Sequence, residues 1–165
     1  MTSKKTSKKA KRGKVAKGLV AKARAFVAKH VERVQDRAFV DAAMAASALV
    51  ALADEEVSLA EQVALDHVLE NATRLEKFDA HEAVRMNRLW IEAIRANRQS
   101  GRRAALETVS HYKDDPAEAE LLLAVGLAIA KADSEVSEIE NKALGEICKA
   151  LGLERDTAFT WSLDS

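Results

Sequence analysis

One stretch of this chain occurs twice, 79 residues apart. The first copy is Ala51-Leu52-Ala53-Asp54-Glu55-Glu56-Val57-Ser58-Leu59-Ala60-Glu61, and the second is Ala130-Lys131-Ala132-Asp133-Ser134-Glu135-Val136-Ser137-Glu138-Ile139-Glu140. Asp, Glu, Val, Ser and the final Glu stand at matching places, and the match continues through Ala64-Leu65 and Ala143-Leu144. An apolar run leads into each copy and a helical period comes after it. Two related helix–acidic loop–helix units leave little room for a sheet. A pseudo-twofold pairing of such units would bring two sets of carboxylates together.

The rest of the sequence agrees. At 165 residues, 48% of them apolar, the chain is long enough for one domain with a core. Alanine is abundant, and it is the best helix former. There is one proline, and β-branched residues are few. The expected fold is all-α: a compact bundle of seven to eight helices with the internal pseudo-repeat. Residues 1–14 form a disordered basic tail, 15–34 a basic amphipathic helix, and 35–165 the helical domain. Within that domain, helices are expected over 37–53, 58–71, 79–98, 100–112, 116–132 and 137–151, with a last short one near 155–163. Ala83, Met86, Leu89, Trp90, Ala93 and Ile94 mark the apolar face of the 79–98 helix. Asp115-Pro116-Ala117-Glu118 is a strong helix start, with Pro at the first helical position. Ser58/Glu61 and Ser137/Glu140 are capping boxes. Gly152 suits a helix C-cap, and Gly126, inside an apolar helix, marks close packing.

Several function classes are excluded or disfavoured. The apolar runs 42–53 and 121–130 hold 12 and 10 residues, against about 20 for a membrane-spanning helix. Lysines interrupt any apolar stretch near the start, which argues against a secretory signal. A lone Cys148 excludes an internal disulfide, fits a reducing compartment, and sits in a periodic helix as a core residue. His30, His67, His81 and His111 form no i,i+4 pair with each other or with cysteine. Trp90 and Trp161 read as packing residues. No Walker loop, G-x-S-x-G elbow or H-E-x-x-H motif is present. The expectation is a noncatalytic protein.

The six carboxylates of Asp54, Glu56, Glu61, Asp133, Glu135 and Glu140 are the candidate metal ligands. Hard oxygen donors suit Ca²⁺, Mg²⁺ or Mn²⁺. Gathered carboxylates repel one another unless a cation, a proton or a donor compensates. Each loop also comes after a helix C-terminus, whose carbonyl dipoles favour a cation. The loop is not an EF-hand, because Leu59 and Leu65 occupy the sixth and twelfth places where Gly and Glu are required. The competing reading is plain: Ser58/Glu61 and Ser137/Glu140 need only be capping boxes, and acidic residues at a helix start are favoured by the dipole alone.

Over roughly residues 26–153 the chain resembles the tellurite-resistance TerB family. The resemblance rests on Ala53-Asp54, Val57-Ser58 and Glu61, on Ala132-Asp133 and Glu140, and on Asp114-Asp115-Pro116-Ala117-Glu118-Ala119 before Val125-Gly126-Leu127-Ala128-Ile129-Ala130-Lys131. The tail Glu146-Ile147-Cys148-Lys149-Ala150-Leu151-Gly152-Leu153 also matches. The resemblance implies an all-α bundle, a bacterial stress or tellurite-resistance context, a divalent-metal site at the acidic motifs, and association with the inner membrane. Where the family often has Gly after each Asp, this chain has Glu55 and Ser134.

A net charge of zero conceals an asymmetry. Residues 1–34 hold twelve Lys/Arg against Glu32 alone, and the remainder holds fourteen basic against twenty-five acidic residues. The basic arm could lie on an anionic membrane surface, where each Lys or Arg contributes about 1 kcal/mol before screening. As a polycation it could bind nucleic acid, but Phe26 is its one aromatic, which argues against single-strand stacking. It could also be an ordinary first helix behind a solubilising tail.

The expected function is a TerB-like, metal-responsive stress-response module. It would be cytoplasmic or peripheral to the inner membrane, with other stress-response proteins as partners. The alternative is a metal-free interaction scaffold resembling the N-terminal module of J-domain co-chaperones.

Overall fold

The computed structural model describes residues 36–53, 80–130 and 137–154, and all regular structure among them is helical. Five helices occur in order: α1 (Arg37–Ala51), α2 (Ala80–Ala96), α3 (Arg98–Ser110), α4 (Pro116–Ala130) and α5 (Glu138–Ala150). The expected elements at 15–34, 58–71 and 155–163 lie outside the described residues, as do the tail 1–14 and both acidic loops.

α1 is the centre of the bundle. Asp36 caps it, its Oδ1 accepting the Ala38 N–H at 3.1 Å. From Phe39 to Ala51 every residue except Asp41 is buried. A helix apolar on all faces must be covered on all sides, and α1 packs against each of the other four. α4 is its counterpart, with an unbroken buried run from Leu121 to Ala128.

α2 is amphipathic and runs alongside α1 in the same direction. Near their starts Arg37 reaches the Glu82 carboxylate at 2.8 Å. Beyond their ends Arg98 donates to the Ala53 carbonyl at 3.3 Å. Ala83, Met86 and Ile94 are buried as the periodicity predicts, but Leu89 is 55% exposed and Ala93 is also exposed. The buried phase is set instead by Asn87. Its amide donates to the Met44 carbonyl at 3.5 Å and the Ser47 hydroxyl at 3.4 Å. Two residues further along a helix is a rotation of about 200°, so Asn87 inward turns Leu89 outward. Trp90 is half-buried, and its indole N–H donates to Asp41 at 2.9 Å.

The helix expected to run to residue 98 stops at Ala96, and α3, expected from residue 100, starts at Arg98 with Asn97 as its cap. The Asn97 side chain accepts the Ser100 N–H at 3.0 Å. Gly101 allows the chain to double back here: a Cβ on it would stand 2.6 Å from both the Ala93 carbonyl oxygen and the Ile94 Cα. α3 then returns antiparallel to α1. Just past its end, the Tyr112 ring meets Phe39 edge-on, with centroids 5.6 Å apart.

α5 lies against α3 and α1, with Arg102 paired to Glu146. It ends in a Schellman motif. Gly152 has φ +66°, its N–H donates to the Lys149 carbonyl, and the Leu153 N–H donates to the Cys148 carbonyl. Cys148 is a core residue, 1% exposed.

Candidate functional site

The second acidic motif is visible at its C-terminal end. Ser137 adopts extended backbone and caps α5. Its Oγ accepts the Glu140 N–H at 3.2 Å, and Glu140 Oε2 accepts the Ser137 N–H at 2.8 Å. The capping box read from the sequence is therefore present. Glu140 is 3% exposed, so this carboxylate is held as a structural cap inside the bundle. The other candidate ligands, Asp54, Glu56, Glu61, Asp133 and Glu135, lie outside the described residues. Among the described residues no group of three or more His, Cys, Asp or Glu is placed to hold a metal.

The helices that come before the two motifs in sequence are α1 and α4. α1 and α4 each have 15 residues, and their bounds differ by 79 at both ends. Asp36 and Asp115, again 79 apart, both cap their helices. Asp115 Oδ1 accepts the N–H groups of Ala117 and Glu118 at 3.1 Å, as Asp36 does for Ala38.

The two helices also touch. A Cβ on Gly126 would lie 2.9 Å from the Ala46 Cβ and 3.5 Å from the Ser47 N, and Ser47 precedes Gly126 by 79 residues. The contact falls near both C-terminal ends. Five residues or fewer separate it from Ala51 and Ala130, about 8 Å of helix.

The opposite end carries acidic groups near Tyr112. Burial raises its phenol above the ordinary range, and the nearby carboxylates of Asp36, Glu118 and Asp41 raise it further. The presence of Asp36 and Glu118 there places the N-termini of α1 and α4 at the same end.

Beyond the end of α1 stands one charged residue that the sequence did not single out. Arg98 opens α3, yet its guanidinium reaches Ala53, the residue before Asp54. No signal in the sequence pointed to it, because Arg98 reads there as the end of the 79–98 helix, where a cation suits the dipole.

The model of the tellurite resistance protein TerB family matches residues 40–160. The chain belongs to the TerB family. No curated protein and no solved structure matches it. The matched span of this TerB-family chain takes in all of α2 to α5, most of α1, and both acidic motifs. No helix among the described residues is long and apolar enough to cross a membrane.

Proposed function

We propose that this chain is a noncatalytic stress-response module of the TerB family whose two acidic loops hold a divalent cation between them. The observation that carries this reading is the close approach of α1 and α4 at Ala46, Ser47 and Gly126. Asp54 and Asp133 each come three residues after the ends of these two helices, at Ala51 and Ala130. Asp54, Glu56, Glu61, Asp133 and Glu135 would be the ligands, with Glu140 holding the second loop's helix start. Oxygen donors of this kind suit Ca²⁺, Mg²⁺ or Mn²⁺. Cation binding to the native state stabilises it by mass action. The bundle would then switch between a loose and a clamped state, with the arm at 1–34 recruiting it to other stress-response proteins or to the cytoplasmic face of the inner membrane.

Thermal melting tests the reading. Millimolar Ca²⁺ is expected to raise the melting temperature, chelator to reverse the rise, and Asp54→Asn with Asp133→Asn to abolish it. Melting curves that coincide in Ca²⁺, Mg²⁺, Mn²⁺ and chelator would leave the second reading, a metal-free interaction scaffold. That alternative draws on Glu140, whose carboxylate is already engaged in the capping box.

A further inference from the structure

We infer that the outward face of α2 is an interaction surface for a second copy of this chain, which meets it with the same face running antiparallel. The inference is independent of the cation reading.

α2 packs against α1 and α3. Asn87 and Ile94 are buried. That phase turns Arg85, Leu89, Glu92 and Ala96 outward, and all four are exposed. Their i, i+4, i+7, i+11 spacing makes them one stripe along the helix. Leu89 is 55% exposed. A lone surface leucine means little; the charges on either side of it carry the argument.

Those charges have an order. Glu-Ala-Val-Arg at 82–85 recurs as Glu-Ala-Ile-Arg at 92–95, ten residues on and about 15 Å along the helix. Leu89 stands between the two. Let two such helices lie antiparallel about a twofold axis passing midway between Arg88 and Leu89. Arg85 of each copy then faces Glu92 of the other, and Glu82 faces Arg95. The twofold repeats every pair, so opposite charges flank the two leucines on both sides. A parallel contact would set Arg85 against Arg85 and Glu92 against Glu92, which repel. A uniformly anionic partner would meet like charge at Glu92, and a uniformly cationic one at Arg85. The surface that matches both signs at this spacing is the same stripe reversed.

Glu82 and Arg85 already bond within the helix, at 2.7 and 3.0 Å, and Arg37 reaches Glu82 at 2.8 Å. These bonds hold both side chains in place without exhausting them. A guanidinium has five N–H donors and a carboxylate about four acceptor sites, and the Arg85 side chain is still 61% exposed. Side chains ordered beforehand lose less freedom on contact. One helix face per copy is a small interface, so the association is weak and depends on chain concentration.

Sedimentation equilibrium on the full chain, in chelator and low salt, tests this. The wild-type mass is expected to rise from one chain towards two between micromolar and millimolar concentration. Arg85→Glu and Glu92→Arg should each weaken self-association by about tenfold or more, because each sets like charges opposite one another at both twofold-related places. Mixed in equal amounts, the two variants should form a mixed dimer about as tight as wild type, and the double variant Arg85→Glu/Glu92→Arg should pair with itself. Arg85→Glu also breaks the bond to Glu82, so Leu89→Lys is the independent check. It should weaken the dimer as strongly while leaving the melting temperature of the single chain unchanged. A wild-type chain that stays single up to millimolar concentration would overturn the inference. So would a dimer that withstands Glu92→Arg or Leu89→Lys, and so would charge-reversed variants that do not pair when mixed.

Discussion

A Cβ on Gly126 would stand 2.9 Å from the Cβ of Ala46, closer than two side chains can sit without a shift. The neighbour is rigid, because Ala46 is wholly enclosed on the central helix. Overpacking of this kind costs about 1–3 kcal/mol, offset by about 1 kcal/mol because alanine is the better helix former. Gly126→Ala is therefore expected to destabilise by about 1 kcal/mol. Gly101→Ala should cost more, since its Cβ would meet the α2 backbone at 2.6 Å and not a side chain. Urea denaturation of the two variants checks the order; a Gly101→Ala protein at least as stable as Gly126→Ala would contradict the close approach of α2 and α3.

The caps at Asp36 and Asp115 should be measurable as a matched pair. Removing a capping side chain costs about 0.5–2 kcal/mol. Asp115 accepts two backbone N–H groups where Asp36 accepts one in the described contacts, so Asp115→Ala is expected to cost the more. Ser137→Ala should fall in the same range by opening the α5 capping box. Denaturation midpoints at constant slope test all three.

Two glutamates should respond to acid with opposite signs. Hydrogen bonding and charge from Arg85, then Arg37, hold the Glu82 carboxyl below its ordinary value against a smaller opposing effect of desolvation. A group depressed in the folded state contributes stability above its unfolded value of 4.5, lost as the pH falls through the folded value. Glu82→Gln should therefore be less stable than wild type at neutral pH, and the difference should close as the pH falls through the folded value.

Glu120 is pushed the other way, raised by burial. Its folded state favours the proton, so its contribution is present at low pH and lost as the pH rises through the carboxylate range. Glu120→Gln should melt higher than wild type at pH 7 and level with it in acid. Melting temperatures from pH 3 to pH 8 for both variants distinguish these signs from a general loss of packing.

The basic arm should govern contact with anionic surfaces. Residues 1–34 carry a large positive excess, and the remainder an equal negative one. Co-sedimentation with anionic vesicles is expected for the full chain and absent for a protein beginning at Gln35, with steep weakening between low and physiological salt. Equal sedimentation of both proteins would remove the arm from that role.

How far these features could be read from sequence varied with their physical cause. Local chemistry was legible. Asp115-Pro116, Ser137/Glu140 and Gly152 each satisfy backbone groups within a few residues, so the pattern carries the structure. Gly126 was legible as close packing because a glycine inside an apolar helix has little other reason to be there.

The features that escaped depended on partners far along the chain. Asn97 and Ser100 are both competent caps, and the choice between them is made by Gly101 folding against Ala93 and Ile94. Leu89 looks like a core residue until Asn87 takes the inward position through Met44 and Ser47, 43 and 40 residues away. For the candidate site, Glu140 was legible as a cap. The other five carboxylates lie outside the described residues.

The central position of α1 has a cost during synthesis. Its apolar surface emerges first, and α4, which it packs against most closely at Gly126, lies about 80 residues later. At roughly 5–20 residues per second, α1 waits on the order of 4–16 s for that partner. Until then α2 and α3 cover only part of a helix that is apolar on all sides. A nascent chain stalled near residue 115 should accordingly be captured by hydrophobic-binding chaperones, and one stalled well past residue 150 should be released.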